Sequence, residues 1–133
     1  MPRNLLLILV IALTCSPAFA DSTSPVCSNT PDGIVKDYYP DGNLRTEWSC
    51  KNGHINGLTK LYYKNGNLEK ESNYVNDVHQ GVTTGYYKSG ALKSVCNYKD
   101  GELDGLHKFL YENGLIKELS YYRGGIDVGI PSN

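Results

Sequence analysis

Glycine recurs along this chain with a period of 24 residues. Gly33, Gly57, Gly81, Gly105 and Gly129 are evenly spaced, as are Gly42, Gly66, Gly90 and Gly114. Gly53, Gly101 and Gly125 form a third set, with Asp77 in the remaining slot, so 12 of the 14 glycines fall on three repeat positions. Tyr39, Tyr63, Tyr87 and Tyr111 keep the same period, as do Leu44, Leu68, Leu92 and Ile116. Tyr74, Tyr98 and Tyr122 do so too, with Cys50 in the first copy. A fixed period of this length marks a chain of stacked units, none of which buries its own apolar face alone. Four copies occupy residues 33–56, 57–80, 81–104 and 105–128.

Each copy reads as a β-hairpin. In the second copy one strand runs from Gly57 to Tyr63 and the other from Asn67 to Tyr74, and a looser turn from Val75 to Gln80 leads onward. Between the strands lie Asp41-Gly42, Asn65-Gly66, Ser89-Gly90 and Asn113-Gly114. Asn-Gly and Asp-Gly favour type I′ turns, whose two central residues need positive φ. No 3.6-residue pattern competes, so the chain is expected to be all-β: an elongated single sheet of four hairpins. Strands about 4.8 Å apart make each hairpin advance the array by roughly 10 Å. Residues 21–32 form an N-terminal cap, residues 33–129 the repeats, and residues 130–133 a tail in which Pro131 opposes further strand pairing.

Alternation places Ile34 with Tyr38, Leu58 with Tyr62, Val82 with Tyr86, and Leu106 with Leu110. Leu68, Lys70, Ser72 and Tyr74 share a side of the second strand. The opposite side carries Arg45, Glu69, Lys93 and Lys117 and is expected to be solvated.

These residues resemble the MORN-repeat variant, the module found in YwqK-type antitoxin proteins. That module follows G-x-x-x-x-Y-Y-x-N-G-x-L-x-x-E-x-x-Y-x-x-G-x-x-x-G. The second copy matches with Tyr62-Tyr63, Asn65-Gly66, Leu68, Glu71, Tyr74 and Gly81, and departs from it at Asp77. The resemblance covers residues 33–129. It implies a repeat scaffold that binds a protein partner, in antitoxin-like members a toxin.

The first twenty residues read as an export signal: Arg3 as the basic segment, Leu5–Leu13 as the apolar stretch, then Pro17 and Ala18-Phe19-Ala20. Cleavage is expected between Ala20 and Asp21, directing the chain to the periplasm or outside the cell. Residues before Cys15 depart twice from a lipidation motif. The apolar stretch is too short to span a hydrocarbon core of about 30 Å, and no later segment would do so. In an oxidising compartment a disulfide is expected among Cys27, Cys50 and Cys96. Cys50 and Cys96, two copies apart, are roughly 20 Å from one another in a regular array, which excludes that pair. Cys27–Cys50 is the candidate, if the cap folds across the first hairpin, and Cys96 is expected to stay reduced.

The full chain carries 13 Lys and Arg against 14 Asp and Glu. That balance gives no electrostatic case for nucleic acid or for an anionic lipid surface. His54, His79 and His107 lack metal-ligand spacing and read as turn or strand-surface residues. The Asp-Gly pairs offer too few oxygens per loop for calcium, and Glu69 and Glu71 do not recur as a pair. No nucleophile motif or phosphate loop is present, so neither an enzyme, a metal nor a cofactor is expected. The candidate partner-binding residues are Tyr39, Tyr63, Tyr87 and Tyr111, a stripe with large amphipathic rings. The same rings can instead pack the thin sheet. Two functions remain open: a protein-binding scaffold, or a structural envelope or surface protein without a defined ligand.

Overall fold

The computed structural model describes residues 26–130. The export signal, its cleavage site at Ala20 and Asp21, the start of the cap and Pro131 lie outside the described residues. Within them the chain is all-β, one open antiparallel sheet of hairpins. The main strands are β1 (Gly33–Tyr38), β2 (Leu44–Lys51), β3 (His54–Tyr62), β4 (Leu68–Val75), β6 (Gly81–Tyr86), β7 (Leu92–Lys99), β9 (Gly105–Leu110) and β10 (Ile116–Arg123). The two-residue strands β5 (Val78–His79), β8 (Glu102–Leu103) and β11 (Ile126–Asp127) each pair back onto the strand before them. The order β1-β2-β3-β4-β6-β7-β9-β10-β11 follows the chain, so every contact is between neighbours.

Glycine at the first repeat position has a backbone reason. Gly33 lies opposite Cys50, Gly57 opposite Tyr74, Gly81 opposite Tyr98 and Gly105 opposite Tyr122. All four have positive φ, between 86° and 144°, which residues with a side chain rarely adopt, and their partners Cys50, Tyr74 and Tyr98 are buried on the inner face. The neighbouring row on that face is small and polar: Thr59, Ser72, Thr83 and Cys96 are all buried.

The two kinds of turn are exchanged relative to the sequence reading. At the Asn-Gly and Asp-Gly sites only the glycine has positive φ, as at Gly66 with 86°. Gly66 N–H donates to the Tyr63 carbonyl and Tyr63 N–H to the Asn67 carbonyl, at 2.9 Å each. This is the three-residue loop that ends on a left-handed glycine. Asn65 keeps negative φ because its Oδ1 accepts the Asn67 N–H at 3.0 Å. Asp41 and Asn113 do the same for Asn43 and Leu115. Paired positive φ occurs instead in the turns expected to be loose: Asn52-Gly53, Asn76-Asp77, Asp100-Gly101 and Gly124-Gly125. Asp77 takes the glycine conformation with φ 68°. Its carboxylate caps Ile55 N–H at 2.7 Å and pairs with His54 at 2.5 Å.

The cap does fold back. Cys27 is buried and joined to Cys50 with Cα atoms 5.5 Å apart. Asp32 Oδ1 accepts the Asn52 N–H, fastening the cap to the first loop. Cys96 is not the free thiol expected: it is disulfide-bonded and fully buried. The spacing argument had excluded only partners within the array.

Candidate functional site

The tyrosine stripe lies along the edge of the array that carries the three-residue loops. The Tyr39 hydroxyl donates to the Tyr62 carbonyl at 2.7 Å, Tyr63 to Tyr86 at 2.7 Å, and Tyr87 to Leu110 at 2.8 Å. Each bond joins one copy to the next. Burial pushes the Tyr63 phenol up, helped by the nearby Glu69 and Tyr87. Cations lie over the same rings: Lys64 at 5.7 Å from Tyr39, Lys93 at 5.5 Å from Tyr87 and Lys117 at 5.7 Å from Tyr111. Three of the four candidate tyrosines are half-buried inter-copy clamps, and Tyr111 is exposed.

The opposite edge has a matching clamp. Asp32, Gln80 and Asp104 stand at one repeat position, and each accepts the backbone N–H of a residue 20 positions on: Asn52, Asp100 and Gly124.

Histidine behaves differently from the sequence expectation. His54 is exposed, but His79 and His107 are buried on the inner face. His79 stacks between Tyr74 at 4.8 Å and Tyr98 at 3.7 Å, and His107 lies 4.5 Å from Tyr122. The tyrosines, a full copy apart, leave gaps on the inner face that an imidazole fills. Burial, with a smaller push from Lys70, lowers the His79 pKa to about 4. The same burial pushes the Tyr98 phenol up to about 12. Nothing in ligand spacing signals this column, although Tyr74, Tyr98 and Tyr122 recur. Among the described residues no group of three or more His, Cys, Asp or Glu could hold a metal ion, and no helix is long and apolar enough to cross a membrane.

The outer face carries what the sheet does not bury. Ile34, Leu58, Val82 and Leu106 occupy one repeat position and are 65%, 40%, 51% and 44% exposed. Ser49, Asn73, Asn97 and Tyr121 stand opposite them across the strands. Register puts six cations on this face, namely Lys36, Lys51, Lys60, Lys99, Lys108 and Arg123, against three carboxylates, Glu47, Glu71 and Glu102. The whole chain has a formal charge of −1, so the cation excess on this face is balanced by carboxylates elsewhere, on the loops and at strand positions such as Asp37, Glu118 and Asp127. Glu47 is held by Lys36 at 3.2 Å and by the Tyr62 hydroxyl at 2.8 Å. That phenol contact, helped by Lys36 and Lys60 and opposed by burial, sets the Glu47 pKa below the usual range. The Tyr62 phenol is pushed up to about 12, by burial and then by Glu47. Of the sides expected to be solvated, Arg45 and Lys117 are exposed while Glu69 and Lys93 are half-buried. Arg45 pairs with Asp37.

No curated protein matches the chain. The family model for the MORN repeat variant matches residues 31–52, 55–76 and 80–100, which correspond to the first three hairpin copies. The three matched segments are thus repeats of the MORN variant type, and hairpin, register and loop chemistry repeat in step with them.

Proposed function

We propose that this protein is an exported, non-enzymatic repeat scaffold that holds a protein partner along its length. The observation that carries the reading is the exposed row Ile34, Leu58, Val82 and Leu106. Aliphatic side chains kept at one repeat position are left with roughly half of their surface in water. A regular row of exposed aliphatics, one per copy, offers an extended partner one contact at each step. Tyr39, Tyr63 and Tyr87, by contrast, spend their hydroxyls on joining copies. A role resembling that of an antitoxin, with a secreted toxin as the partner, is one form of this function. The Cys27–Cys50 disulfide supports an oxidising compartment, as does the series Arg3, Leu5–Leu13 and Ala18-Phe19-Ala20.

The test is site-specific photo-crosslinking in the native host. A crosslinker at Leu58 and, separately, at Leu106 should capture the same protein, because a partner lying along the array touches distant copies. Two unrelated sets of products, or none, would discard the scaffold reading. A second reading, a structural spacer without a defined ligand, draws on the two rows of inter-copy bonds, which stiffen the array whether or not anything binds.

A further inference from the structure

We propose that the outer face of the third and fourth copies is the docking site for an acidic amphipathic helix of a partner protein. This rests on the scaffold reading and adds the place and the chemistry.

A sheet with an apolar face is normally covered by a second layer. Here the outer face exposes Val82, Leu106 and Leu119, the last 39% exposed. The charges around them differ between the two halves of the array. In the first half, Lys36 faces Glu47, Glu47 faces Lys60, and Lys60 faces Glu71. Lys36 and Lys60 are thus neutralised across their own strands, Lys51 faces His54, and in the second half only Lys99 has such a partner, Glu102. In the second half the equivalent lysine, Lys108, stands between Val95 and Leu119. Arg123 faces Ile126. Cations beside exposed aliphatics, with aliphatics as their cross-strand neighbours, call for carboxylates from elsewhere.

Charge complementarity selects the occupant. A second copy would bring the same excess of cations to the same face, which repulsion opposes. An anionic lipid surface would satisfy the cations. However, Val82 and Leu106 lie in line across the sheet, one hairpin step of about 10 Å apart. That line suits the apolar stripe of one helix, whose width is about the same. Glu or Asp flanking the stripe would reach Lys108 and Arg123.

The probe is a synthetic amphipathic helix of Leu and Glu, compared with its counterpart carrying Lys in place of every Glu, against the full chain. The Leu/Glu helix should bind at least tenfold more tightly and should weaken as salt rises, because screening shortens the reach of the charges. Lys108→Glu with Arg123→Glu should invert the preference, and Lys108→Ala alone should reduce it. Both side chains are on the outer surface, and a thermal melt of each variant checks the fold. Lys88→Glu, on the loop edge, should leave the preference unchanged. Equal binding of the two helices, or a preference that charge reversal does not move, overturns the proposal. So does binding to phosphatidylglycerol/phosphatidylcholine vesicles without binding to the helix, or self-association that shields Leu106. None of these results alters which protein is captured from Leu58 and Leu106 in the crosslinking test, so this inference and the scaffold reading fail separately.

Discussion

The hydroxyl of Tyr63 donates to the backbone carbonyl of Tyr86 at 2.7 Å, across the boundary between the second and third copies. Tyr39 and Tyr87 repeat the contact at their own boundaries. The ring that looks like a binding residue in one copy is therefore part of the joint to the next.

Removing those hydroxyls should cost stability. Tyr63→Phe and Tyr87→Phe are each expected to lower unfolding free energy by about 1 kcal/mol, the net worth of one hydrogen bond. Tyr111→Phe should be neutral, since Tyr111 is exposed and forms no such clamp among the described residues. Urea melts of the three variants decide it. An equal loss at Tyr111 would show that the clamp is not the cause.

Acid should loosen the inner face. His79 Nε2 meets the Thr83 hydroxyl at 2.6 Å, while its buried Nδ1 has no partner. The groups facing it are Tyr74 and Lys70 on β4, Thr83 on β6 and Tyr98 on β7. Burial, then Lys70, holds its pKa at about 4, whereas the unfolded chain takes up that proton near 6.5. The unfolded state thus binds more protons between those values. This stabilisation is complete above pH about 6.5 and is lost as pH falls towards 4, at a cost of roughly 2 kcal/mol after allowance for solvent screening. His107 is pushed down by burial too, opposed by its bond to the Asn97 carbonyl and by Asp127, and adds to the same loss. His79→Phe should flatten the dependence. Urea midpoints at pH 7 and pH 4.5 provide the measurement; equal slopes in wild type and variant would remove His79 from the explanation.

The disulfide should matter more than its terminal position suggests. Cys27 and Cys50 are 23 residues apart, and closing such a loop contributes about 3 kcal/mol in the chain-entropy account. Replacing both by alanine should produce that loss and should release residues 26–32 to proteolysis before the repeats. If the repeats were cleaved first, the cap would have no fastening role.

Gly85 tests how tightly the inner face is packed. A Cβ at this buried position would lie 2.5 Å from Ser94 Oγ, its cross-strand neighbour. Gly85→Ala should therefore cost at least about 1 kcal/mol. Ser94→Ala in the same chain should recover most of it, a coupling that a double-mutant cycle measures directly. Additive losses would place the strain elsewhere.

The sequence alone established the period, the hairpins, their order and the single all-β sheet. These follow from local rules: glycine and Asn or Asp where the chain reverses, and period-two alternation between the turns. The candidate pair Cys27–Cys50 was legible too, because the array's spacing limits which cysteines can meet. The type of turn was not. Asn65-Gly66 permits a two-residue loop, and the side-chain bond from Asn67 N–H to Asn65 Oδ1 selects the three-residue one instead.

Tertiary structure decided which face of each strand is inside. Tyr62 and Tyr63 are adjacent, chemically identical and both periodic, so composition cannot tell which joins copies and which braces Glu47. Only register can. The same holds for His79, whose burial depends on the gap between Tyr74 and Tyr98, a full copy apart. The charge of the outer face was hidden as well. A near-neutral sum conceals a face on which six cations stand against three carboxylates, because a sum over the chain carries no information about direction, and side-chain direction is set by strand pairing.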